Sequence, residues 1–146
     1  MTVTTSKGDD SFVLINAPEL EVITTTINTS AGNDVVVLQE LNLAKTGDLL
    51  VPTTIVNLGE GDDIARLLSI RSDTSVLING GDNKDTIIIQ TTGQDSRTVV
   101  SGGIGSDTVQ VSGTTLPYSS NPDAILVAHG DDPSYGPSEG DILLYN

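Results

Sequence analysis

The chain has no cysteine and no tryptophan, and it has only one histidine, one phenylalanine and three tyrosines. Without cysteine there can be no disulfide, no thiolate metal centre and no cysteine nucleophile. The compartment stays open, because exported bacterial repeat proteins also do without cysteine. A single histidine, His129, cannot build a multi-histidine transition-metal site within one chain. Aromatic residues make up 3% of the chain, which excludes a core built around large rings. Basic residues are scarce as well: Lys and Arg total 6 against 20 Asp and Glu, for a net charge of -14. Such a surface repels a phosphate backbone and an anionic lipid face, so nucleic acid and anionic membranes are not expected partners, whereas cations are. No apolar run approaches the length of a membrane span. The opening MTVTTSKGDD lacks a basic segment followed by an apolar one, so no cleaved secretory signal is expected in it.

What the chain does have is Val, Ile and Leu spread through it, with a mean hydropathy of +0.02. That composition suits thin stacked layers of aliphatic residues better than disorder. A length of 146 residues favours one domain, 1–146. Repeats organise it. The best copy is GGIGSDTVQV at 102–111; NGGDNKDTIII at 79–89 follows, and weaker copies lie at 57–67, 28–38 and 4–14. Aligned on the last acidic residue, they place Asp10, Asp34, Asp63, Asp85 and Asp107 in one column, 24, 29, 22 and 22 residues apart. Two places earlier stand Gly8, Gly32, Gly61, Asn83 and Gly105, the two residue types that enter the left-handed region most readily. Two places later stand Phe12, Val36, Ala65, Ile87 and Val109, and four places later Leu14, Leu38, Leu67, Ile89 and Val111. These columns are apolar with period two, which predicts a strand buried on one face.

A second strand is predicted before each turn. Val3, Ile27, Val56, Ile78 and Val100 lie seven places before the aspartate, followed by Thr4, Asn28, Asn57, Asn79 and Ser101. Stacked polar side chains of this kind can hydrogen-bond along a ladder. The unit is strand, tight acidic turn, strand and variable loop. Irregular insertions are expected at 41–52, 114–123 and 130–141. A sixth unit begins near Ala124, and either Asp132 or Asp141 holds its turn position.

A period of 22 to 29 residues with two strands matches one coil of a parallel β-solenoid, whose rungs must stack to close a core. The expected fold is all-β: a right-handed parallel β-helix of about five to six coils with the Gly/Asp turns on one edge. An antiparallel sandwich also has short strands and frequent turns, but it does not require turn columns in register.

Stacking would bring the turn carboxylates to about 5 Å from one another, where two charges repel by roughly 1 kcal/mol even in a water-like dielectric. Asp9, Glu60, Asp62 and Asp82 add to the load. A hard divalent cation between turns removes the conflict. Ca2+ takes six to eight oxygens and accepts backbone carbonyls beside carboxylates, while Mg2+ demands a tighter octahedron. The candidate metal-holding residues are Asp10, Asp34, Gly61, Asp63, Gly81, Asn83, Asp85, Gly103, Gly105 and Asp107, with Asp132 and Asp141 for the sixth turn. The plainer reading is that Gly, Asn and Asp are ordinary turn formers and that acidity confers solubility.

GGIGSDTVQ at 102–110 resembles the nonapeptide of the RTX, or haemolysin-type, calcium-binding repeat, G-G-x-G-x-D-x-U-x, where U is a large apolar residue. It matches at Gly102, Gly103, Gly105, Asp107 and Val109. GGDNKDTII at 80–88 matches at Gly80, Gly81, Asp85 and Ile87, with Asn83 in place of the third glycine. LGEGDDIAR at 58–66 keeps Gly59, Gly61 and Asp63, and the first two copies keep Gly8 with Asp10 and Gly32 with Asp34. The resemblance covers under half of the chain. It implies a calcium-dependent parallel solenoid, typical of exported bacterial proteins. Family repeats follow one another every nine residues on two edges; here one turn per coil matches, which implies a wider helix with calcium-type turns on one edge.

The chain is not read as an enzyme. Arg66, Arg71, Arg97, Lys7, Lys45 and Lys84 are scattered, and His129 beside Asp131 and Asp132 has no nucleophile partner in the sequence. Threonine stretches such as Thr24–Thr26 do not recur as one ice-binding column. The expected function is a calcium-binding structural or adhesive module of an exported or cell-surface bacterial protein. Calcium ions are its expected partner, with end-to-end self-association and a glycan or surface ligand as further partners. The alternative is a calcium-binding accessory module of a polysaccharide-acting enzyme, a lyase or an epimerase.

Overall fold

The computed structural model describes residues 1–15, 24–39, 53–69, 74–90 and 96–111 in full, and the strands at 125–129 and 142–145 as backbone. The chain is an all-β parallel solenoid of about four turns, with no helix among the described residues. β1 (Thr2–Thr4), β3 (Thr24–Asn28), β5 (Thr53–Glu60), β7 (Ser75–Asp82), β9 (Arg97–Ile104) and β11 (Ile125–His129) form one sheet in that order. β2 (Ser11–Ile15), β4 (Val35–Gln39), β6 (Ile64–Leu67), β8 (Thr86–Ile89), β10 (Thr108–Val111) and β12 (Ile142–Tyr145) form the other. Every pairing is parallel, so the two-strand unit repeats by translation rather than by hairpin reversal, and the sandwich is excluded.

The registers match the sequence columns. Val3 pairs with Ile27, Ile27 with Val56, Val56 with Ile78, and Ile78 with Val100. In the other sheet Val36 meets Ala65, Ala65 meets Ile87, and Ile87 meets Val109. The alternation along each strand buries one face of each sheet. From β3 to β10 these inward residues form one continuous core, almost all of them at 0–1% exposure. Each coil supplies only a few aliphatic side chains, so no coil can close a core alone. Outside the core run the predicted polar ladders: Asn57 Nδ2 donates to Asn28 Oδ1 and Asn79 Nδ2 to Asn57 Oδ1, each at 2.8 Å.

Two features differ from the sequence reading. The paired glycines are not turn residues. Gly80–Gly81 and Gly102–Gly103 lie inside β7 and β9, and Gly59, Gly81 and Gly103 stay in register across three strands. Glycine is required because at Gly81 φ is +118°, and a Cβ there would collide with the carbonyl of Gly59 one rung away. The turn proper is therefore shorter. Second, the aspartates do not line the rim. Asp34, Asp63, Asp85 and Asp107 are buried under it, because they share the inward phase of the apolar residues two and four places on. The expected insertions at 41–52, 114–123 and 130–141 lie outside the described residues.

Candidate functional site

Each turn is built by one left-handed residue followed two places later by an inward aspartate. Gly8, Gly32, Gly61, Asn83 and Gly105 all have positive φ, as the sequence column predicts. Their conformation reverses the chain so that the aspartate side chain drops into the interior. There the carboxylates form a ladder. The Asp10 amide donates to Asp34 Oδ1 at 2.7 Å, Asp34 to Asp63 at 2.7 Å, Asp63 to Asp85 at 3.0 Å and Asp85 to Asp107 at 2.9 Å. Every such bond joins one coil to the next, and an amide bond to a carboxylate is stronger when that carboxylate is ionised.

A second ladder runs along the outer rim in the opposite sense. The amides of Asn33, Asp62 and Lys84 donate back to the side-chain oxygens of Asp9, Asn33 and Asp62 at 2.9, 2.9 and 3.1 Å. Asp9 and Asp62, counted from sequence as surplus charge, are thus bonded by the neighbouring turn and remain in water.

The inner ladder leaves a deficit. Oδ2 of Asp10, Asp34, Asp63 and Asp85 is buried without a hydrogen-bond partner. Leaving a buried polar atom unpaired costs about 1–3 kcal/mol, more when it is charged. The carboxyl groups respond accordingly. Burial pushes the Asp63 carboxyl up to about 6; the amide hydrogen bond from Asp34 opposes the rise, and the charges of Asp34 and Asp62 add to it. Burial pushes Asp85 up to about 7, opposed by the Asp63 amide and reinforced by the charges of Asp107, Asp63 and Asp62. A proton or a cation on Oδ2 relieves both the missing donor and the repulsion.

The donor set limits what cation fits. Among the described residues no three His, Asp or Glu side chains converge to hold a metal ion. A cation here must take most of its ligands from backbone carbonyls, which suits a hard ion and excludes one that needs nitrogen or sulfur. One point supplies such a pairing. A Cβ built on Gly80 would collide with both the Gly102 carbonyl oxygen and Asp85 Oδ2, so both oxygens pack directly against that glycine and lie close to one another. At Gly102 the side chain of Asp107 fills the corresponding space.

The sequence-predicted site residues divide as follows. Asp10, Asp34, Asp63, Asp85 and Asp107 belong to the one ladder. Gly61, Asn83 and Gly105 are the left-handed residues, and Gly81 and Gly103 are the strand glycines in close contact with the rung before. Asp132 and Asp141 lie outside the described residues, although Ile142 pairs with Thr108, the residue after Asp107. Gly80 and Gly102 matter more than the sequence reading allowed. The signal for them is their column, five places before each aspartate.

No family model, no curated protein and no solved structure matches the chain. The parallel solenoid is compatible with the RTX resemblance and does not identify that family.

Proposed function

We propose that this protein is a calcium-binding structural module, an adhesive or spacer element of an exported or cell-surface bacterial protein, stiffened by Ca2+ held within its stacked turns. The observation that carries the reading is Asp85 Oδ2, fully buried, without a donor, and facing the carbonyl of Gly102. Two acceptors brought this close repel unless a proton or a cation bridges them. A calcium ion supplies that charge and tolerates carbonyl ligands. The turn motif at 102–110 supports the same ion through its RTX resemblance. The fold suits a spacer, because coil-on-coil stacking makes a rod whose length scales with coil number. We take it to have five to six coils, following its six strand pairs. We take its hand as right, since crossovers between parallel strands of one sheet are right-handed in the great majority of cases.

Calcium titration by isothermal calorimetry, in protein first stripped with chelator, tests the reading. Saturable binding with a matching rise in melting temperature is expected. Heat of dilution alone would remove calcium from the function.

A further inference from the structure

We infer that the coil made by β1 and β2 is a docking face for the far end of a second copy of this chain, which seats its β11 on β1 and its β12 on β2. The inference goes beyond the calcium reading and does not rest on it. Coils inside the stack cover one another in three ways, and at this coil each cover is missing. The turns nest: the Gly8 carbonyl lies where a Cβ of Gly32 would stand, the Gly32 carbonyl does so at Gly61, and the Asn83 carbonyl at Gly105. At Gly8 the corresponding space holds nothing within 4 Å. The aspartates nest as well: Asp34, Asp63, Asp85 and Asp107 each accept the amide of the rung before. No described residue donates to the Asp10 carboxylate, although its Oδ2 is buried. Finally, β1 and β2 have a neighbour on one side only. The Met1 carbonyl accepts from Thr26 and the Thr5 amide donates to Asn28, so by alternation Thr2 and Thr4 point their amides at the free edge. The Asp10 carbonyl accepts from Val35, so Ser11 and Val13 do the same in β2.

The opposite end of the stack is the complement. β11 and β12 are the other two edge strands, and they run parallel to β1 and β2 because every pairing in both sheets is parallel. Register matches the columns too. Leu143 and Tyr145 pair with Val109 and Val111, so they hold the positions of Phe12 and Leu14, and Ala128, paired with Val100, holds that of Val3. A copy placed one coil before β1 and β2 therefore continues the apolar columns over Phe12 and Leu14, which are only partly buried against the core. It also brings a turn over Gly8 and Asp10, where inner rungs receive a carbonyl and an amide. The contact uses different surfaces on the two copies, so it does not close on itself and builds a filament. Coil stacking then runs from chain to chain, which extends the rod.

Sedimentation velocity of the full chain over a range of concentrations tests this, in chelator and with enough salt to screen the net charge of -14. The mass should grow with concentration without levelling off at a dimer. Val13→Pro removes an amide that faces only the free edge of β2, and Thr4→Pro does the same in β1, where an edge strand tolerates proline. Each variant should stay monomeric across the range. Val13→Pro keeps its own β11 and β12 edges, so in small proportion it should seat on the parent's β1 and β2 and stop growth there, shortening the filaments seen by electron microscopy. Circular dichroism at low concentration checks that the variants fold; should one not, the other carries the test. A parent that stays monomeric, or that stops at a dimer, overturns the inference, and so do folded variants that assemble as the parent does. Because chelator is present throughout, these outcomes are separate from those of the calcium titration.

Discussion

At Asp85 two oxygens of one carboxylate meet different fates, and its chemistry follows from that. Oδ1 takes the Asp63 amide, while Oδ2 has no donor. Its carboxyl is pushed up to about 7 from an ordinary 3.8, so folding favours the protonated form. The stability this gives is complete below the unfolded value and is lost as pH rises through the folded one. In chelator the melting temperature should therefore fall between about pH 4 and pH 7 and flatten above. Asp85→Asn, which cannot ionise, should show a shallower fall over that window and equal or higher stability at pH 7 in chelator. A melting temperature that climbs from pH 4 to pH 7 would contradict the assignment. Gly81 makes a separate claim. Its φ of +118° and the Gly59 carbonyl against it leave no room for a methyl group. Gly81→Ala should lose at least about 2 kcal/mol in chemical denaturation, from left-handed strain and the displaced rung together.

At the scale of the element, each strand pair is held by register rather than by its own contacts. Asn57 donates to Asn28 and accepts from Asn79, so Asn57→Ala removes two cross-rung bonds and should cost about 1–2 kcal/mol. Position along the stack also matters. Leu38 in β4 is 1% exposed and lies in the core, whereas Leu14 in β2 is only partly buried against it. Leu38→Ala should cost about 2–5 kcal/mol and Leu14→Ala clearly less, both read by urea denaturation. The strands, their parallel pairing and the left-handed column were legible in the sequence, because side-chain period and glycine placement are written residue by residue. The direction of the aspartates is written too, in the shared phase of Asp34, Val36 and Leu38, although their charge argues for the rim. The amide-to-carboxylate bonds were not legible. They depend on the stagger between coils, which no single repeat encodes. The role of Gly80 stayed hidden for the same reason, since the carbonyl it faces belongs to the following coil.

The whole molecule is a stack whose two sheets run in the same coil order. In this chain β1 and β2 are the edge strands of their two sheets, and the inward residues of that coil, Val3, Phe12 and Leu14, are only half-buried. An edge of this kind invites another strand. Head-to-tail stacking of a second copy would continue both sheets, and a non-closing contact of this sort builds filaments. Light scattering should then rise with protein concentration, and more steeply in calcium or salt, which screen the net charge of -14. A mass that stays monomeric across that range would count against it.

The central claim is that a cation held in the turns stabilises the fold, and thermal unfolding of the full chain in excess chelator and in saturating Ca2+ tests it most directly. A ligand that binds only the folded state at a hundredfold excess over its Kd adds about 2.7 kcal/mol per site. For a chain of this size that raises the melting temperature by about 5–11 °C. A calcium-dependent rise of that size, reversed by chelator, is the expected result. Superimposable melts in the two conditions would contradict the claim and leave the aspartate ladder as a hydrogen-bonded spine without a cation.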